Sequence, residues 1–95
     1  MEGEPFNEHK ARNLLRGIVH AGHVGFTPHA RQEMAHDHLT AQDALNVLCA
    51  GRIPEAAEER LGTWRYRVRT PRMVFVVAFR SAMECTVVTG WRLMP

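Results

Sequence analysis

TWRYRVRT, residues 63–70, alternates strictly between large apolar or aromatic residues and arginines. Strand side chains repeat every two residues, so Trp64, Tyr66 and Val68 fall on one side of an extended segment and Arg65, Arg67 and Arg69 on the other. Trp, Tyr, Val and Thr are good strand formers. The arginines then stand in a row, roughly 7 Å apart, close to the phosphate spacing of an extended single strand of nucleic acid. Such a row is either a solvated face or a track for a polyanion.

The segments on either side follow from this strand. Thr70-Pro71-Arg72 makes a turn, and residues 73–79 (MVFVVAF) are almost wholly apolar, which marks a central strand buried on both faces. Ser81-Ala82-Met83 turns again, residues 85–91 form a last strand, and Arg92-Leu93-Met94-Pro95 closes the chain. Upstream, Arg60-Leu61-Gly62 is a turn, and RIPEAAE (residues 52–58) reads as a first or edge strand because it contains proline. The expected sheet is a four-stranded antiparallel meander.

Three helices precede it. Asn7 caps the first, and Ala11, Leu14, Leu15, Ile18 and Val19 give one apolar face before Gly22 ends it. Residues 22–26 are a link or strand stub. Thr27-Pro28 starts a second helix reaching His38, with Ala30, Met34 and Ala35 toward a core. Thr40 caps a third with Asp43 three residues on, and Gly51 stands at its end. Helices followed by strands indicate an α+β domain with the helices on one face of the sheet. Residues 1–6 are expected to be a loose, flexible lead.

The chain has 95 residues, 45% of them hydrophobic, which suits one domain with one core. No apolar run approaches the ~20 residues of a membrane span, and the N-terminal decapeptide lacks the pattern of a signal peptide. A cytoplasmic protein without membrane contact is expected. Cys49 and Cys85 each fall in an apolar run and read as buried free thiols. The net charge of +2 is divided unevenly: residues 1–59 carry five basic residues against nine acids, and residues 60–95 carry seven arginines against Glu84 alone. A basic half points to a polyanionic partner, and arginine offers a planar fork that pairs with phosphate and stacks on bases.

The six histidines, His9, His20, His23, His29, His36 and His38, have no metal-ligand spacing, and no metal or cofactor is expected. His29 differs by position, in the first turn of a Pro-started helix, where exposed N–H groups favour an anion and a neutral imidazole can exchange a proton. No phosphate-binding loop, dinucleotide fingerprint or nucleophile elbow is present. Arginine, histidine, tyrosine and tryptophan on a small sheet suit RNA, with arginines for phosphate and aromatics for bases.

The run FTPHARQEMAHDHLTAQDALNVLCAGRI, followed by WRYRVRT, MVFVVAF and TVVTGWR, resembles a small bacterial domain family of uncharacterised members over residues 24–92. Members of this kind are similar to the RelE, BrnT and MqsR toxins of type II toxin–antitoxin modules. His29-Ala30 and Met34 match the pattern; Glu33 and Asp37 depart from it, standing where arginines are often found. The N-terminal helix, residues 7–22, lies outside the resemblance as an addition.

The resemblance implies a RelE-like fold and a toxin-type endoribonuclease that cleaves messenger RNA without metal and is neutralised by a cognate antitoxin. His29 or Tyr66 is then the residue for proton transfer. Arg65, Arg67, Arg69, Arg80 and Arg92 are the phosphate ligands, with Trp91 to stack a base. Because Tyr66 alternates with the arginines, it can also point into the core. A non-enzymatic ParE-like toxin and an RNA- or protein-binding module of the same fold are the alternatives.

Overall fold

A computed structural model describes residues 1–93; Met94 and Pro95 of the expected closing segment lie outside the described residues. The elements run α1 (Glu8–Ala21), β1 (His23–Phe26), α2 (Pro28–His36), α3 (Ala41–Ala50), β2 (Glu58–Arg60), β3 (Thr63–Arg69), β4 (Met73–Ser81) and β5 (Glu84–Arg92). Three helices and a mixed five-stranded sheet of order β1-β5-β4-β3-β2 form an α+β fold.

The antiparallel meander β2-β3-β4-β5 is present as expected. The expectation of four antiparallel strands is corrected by β1, which pairs in parallel with β5 and makes the sheet mixed. Four residues with no clear alternation do not announce a partner about sixty positions away. The parallel register runs from His23 opposite Glu84 to Phe26 opposite Val87.

The edge strand expected at 52–58 also changes place. Arg52 makes only an isolated bridge to Arg69, and the strand proper begins at Glu58. Pro54 has no N–H to give a ladder, and Ile53 turns into the core.

Local chemistry sets the helix ends. Asn7, Thr27 and Thr40 each accept a backbone N–H from three residues on, and Asp43 returns the bond to Thr40 N. Helix α2 stops at His36, two residues earlier than the pattern suggests. His38 takes a left-handed φ of 57°, while His38 N bonds Ala35 O and Leu39 N bonds Met34 O. That pair of bonds is a Schellman stop, and it buries Leu39 beside Met34. Glu8, in the first turn of α1, accepts from Arg52 Nε at 2.7 Å and from Ile53 N at 2.8 Å. It thereby ties the first helix to the segment after α3.

The core lies between the helices and one face of the sheet. Ala11, Leu15 and Ile18 of α1, Ala30 and Met34 of α2, and Ala44, Val47 and Leu48 of α3 meet Tyr66, Val68, Phe75, Val77, Phe79, Cys85 and Val87. The added N-terminal helix is thus part of the main core. Residues 1–6, expected to be loose, also pack: Phe6 lies edge-on to Phe79 with its ring centroid 5.8 Å away, and Glu4 bonds the Tyr66 hydroxyl. Of the two cysteines, Cys85 is buried as expected and Cys49 is exposed, on the outer side of α3. Gly90 lies against the Phe75 ring, where an added Cβ meets ring carbons at 2.4–3.2 Å.

Candidate nucleic-acid interface

On the other face of the sheet Val74, Val76 and Ala78 of β4 are buried too, outside the core cluster that the helices cover. Their cover comes from neighbouring strands. Val74 lies between Arg69 on β3 and Trp91 on β5, and Val76 between Arg67 and Thr89. Long side chains laid across a sheet bury their apolar stems and keep the charged head outward. The arginine row therefore closes a second, thin apolar layer, with Arg67 exposed and Arg65 and Arg69 half-buried.

A shallow pocket of about 150 Å³ opens on this face. Of the expected site residues Arg65, Arg67 and Trp91 line it, and Ala56, Glu58, Arg60 and Thr89 join them over a floor at Val76. Glu58 stands opposite Arg65 in the β2–β3 register. Among the described residues, Glu58, Arg60, Arg65 and Arg67 make no ion pair within 4.0 Å. Arg65 Nε is buried and finds no acceptor among them.

The other expected site residues are distributed differently. Arg69 shares the open face, and its Nη2 pairs with Glu55 at 2.9 Å. Arg80 follows at the far end of β4, where its Nε donates to Thr86 Oγ1 at 3.1 Å. Arg92 leaves the row: its Nε and Nη2 donate to the carbonyls of Asp37 and His38, and its backbone N–H to the Asp37 carboxylate. It caps the C-terminal end of α2, where orphan carbonyls attract a cation. Asp37, which departs from the family pattern, is thus half of a structural tie.

Tyr66 is 1% exposed on the helix-covered face. Its hydroxyl donates to Glu4 Oε2 at 2.9 Å and accepts from Phe6 N at 3.0 Å. Burial pushes this hydroxyl up to about 12, the neighbouring Glu4 adding to the rise and the Phe6 N–H opposing it. A phenol so placed is a core hydrogen-bond partner, sent inward by the strand alternation that sends the arginines outward, the alternative already open in the sequence.

His29 is exposed in the first turn of α2, beyond the β1–β5 end of the sheet. His29 is not among the residues that line the pocket. The two residues expected to move protons therefore meet neither each other nor the pocket. No three His, Cys, Asp or Glu side chains gather in metal-binding range among the described residues. The residues missed by sequence reading are Glu58, Arg60 and Thr89. Thr89 lies in a strand already expected, but Glu58 joins the site only through a cross-strand register that no local pattern reveals.

A family model described as a domain of unknown function, DUF4258, matches residues 26–92. That agrees with the expected small domain family and carries no link to RelE, BrnT or MqsR. No curated protein and no solved structure matches the chain. Among the described residues no helix is long and apolar enough to cross a membrane.

Proposed function

The chain belongs to the DUF4258 family, and from that premise we propose that it binds single-stranded RNA on the open face of its sheet. The observation that carries the reading is the pocket on that face, lined by Arg60, Arg65 and Arg67 beside Trp91, the three arginines without an ion pair among the described residues. Guanidinium groups suit phosphates, an aromatic wall suits a stacked base, and an unstacked strand offers both. The uneven charge of the sequence, with its basic arginine-rich second half, supports the same partner.

Binding is the form of the activity that the geometry favours, since neither His29 nor Tyr66 lines the pocket. The toxin-type form adds metal-free cutting of messenger RNA and a cognate antitoxin that covers the face. It is scored in the same assay by incubating the RNA with the protein in EDTA.

The test is the salt dependence of affinity for an unstructured RNA. Each phosphate contact on a single strand contributes a slope of about −0.7 in log K against log[salt]. Replacing Arg65 and Arg67 together by Met keeps apolar stems over the sheet and removes two charges. The slope should become shallower by about 1.4, and His29→Ala should leave both slope and affinity unchanged. An unaltered slope in the double variant shows the row to be a solvated face.

A further inference from the structure

We infer that the pocket on the arginine face selects guanine, holding one base flipped from a single-stranded RNA between Trp91 and the Glu58 carboxylate. The inference rests on the RNA-binding reading above and adds to it the identity of the base. A pocket of about 150 Å³ is below the roughly 300–1,000 Å³ of sites for drug-sized ligands. Its scale is that of one planar ring system. The wall is an indole and the floor is Val76, both fit for the face of a base.

The rim decides which base. A carboxylate amid a phosphate-binding row repels the backbone, so Glu58 weakens a pure polyanion track. It is useful where the ligand presents donors. Among the described residues it has no ion pair within 4.0 Å, so its oxygens are free to accept.

Guanine carries N1–H and N2–H side by side, a pair that matches the two oxygens of one carboxylate. Along its other edge, O6 and N7 are acceptors that match the fork of an arginine, here Arg65 or Arg67. Adenine and cytosine each offer a carboxylate one exocyclic amine beside a ring nitrogen acceptor that repels it. Uracil offers one N–H flanked by two repelling carbonyls. Guanine alone uses the acid and the arginines together.

The experiment measures binding of the full chain to four fluorescent ten-nucleotide RNAs, oligo-U and the same strand with one central G, A or C. The G-containing strand should bind about tenfold or more tighter than the others, the discrimination of one good bidentate pair. Glu58→Gln keeps the size of the side chain on an exposed strand but loses one acceptor oxygen. It should abolish the preference, bringing the G-containing strand to the affinity of the A- and C-containing ones. Equal affinity for all four strands overturns the guanine assignment and leaves the RNA reading standing, as does a preference that survives Glu58→Gln. Failure of all four strands to bind overturns the RNA reading itself, and the guanine assignment with it.

Discussion

The Tyr66 hydroxyl donates to Glu4 Oε2 at 2.9 Å, joining the third strand to a residue sixty-two positions earlier. The bond shows why the lead is ordered. A phenol pushed into the core needs a partner, and Glu4 and the Phe6 N–H supply one. Tyr66→Phe removes this partner and leaves two groups of the lead unsatisfied. Stability in urea should fall by about 1–3 kcal/mol, with RNA affinity unchanged. A loss of affinity at full stability would return Tyr66 to the site.

Acid should loosen the tie between α1 and the segment after α3. The Arg52 side chain, bonded to Glu8, is the main cause holding that carboxyl at about 2, below the usual 4.5, with the Ile53 N–H adding to it. A carboxyl lowered in the folded state contributes stability that is fully present above the unfolded value. That contribution is lost as the pH falls through the folded one. The melting temperature should therefore decline between about pH 4.5 and pH 2, and less steeply in Glu8→Gln. Parallel melting profiles of the two proteins over that range would remove Glu8 as the source.

The two thiols should separate by reactivity. Cys49 is exposed and Cys85 buried. Burial pushes the Cys85 thiol up to about 11, with the Glu84 charge adding to the rise. Thiolate is the reactive species, so a disulfide reagent at pH 8 should modify one cysteine of the native protein promptly and the second only on unfolding. Mass spectrometry of the labelled peptide should find Cys49. Prompt labelling of both thiols would place Cys85 outside the core.

Gly90 should tolerate no side chain. Its partner across the ladder is Phe75, whose ring fills the space a Cβ would need. Phe75 is fully buried and has no room to retreat. Gly90→Ala should cost about 1–3 kcal/mol, the usual penalty of overpacking, read as a lower denaturation midpoint at unchanged slope. A variant as stable as the parent would mean that β5 shifts to make room.

The parts visible in the sequence are those written in local chemistry. The caps at Asn7, Thr27 and Thr40, the alternation of 63–69 and the apolar run of β4 need no distant information, and each appears where the pattern places it. What escaped the sequence depends on pairings between remote segments. The parallel partner of β1, the displaced start of β2 and the packing of Phe6 depend on which surfaces meet after collapse.

The site divides in the same way. Alternation put Arg65 and Arg67 on one face, and Trp91 joins them in the pocket. Glu58 enters only because β2 pairs with β3 in one particular register. Arg92 is expected among the phosphate ligands of the toxin-type reading, and its position at the end of α2 gives it carbonyls to hold.

The place of β5 in the sheet bears on how the chain is made. Its two neighbours, β1 and β4, are both synthesised before it, yet in the sheet they do not pair with each other; β5 slots between them. A growing chain that has reached Ser81 therefore carries two open strand edges with nothing to close them. Such edges recruit strands from other molecules. Until Glu84–Arg92 has left the ribosome, β1 cannot be fixed to the rest of the sheet. Release of β5 is then the event that commits the sheet, and early termination within it should yield aggregates instead of a smaller folded protein.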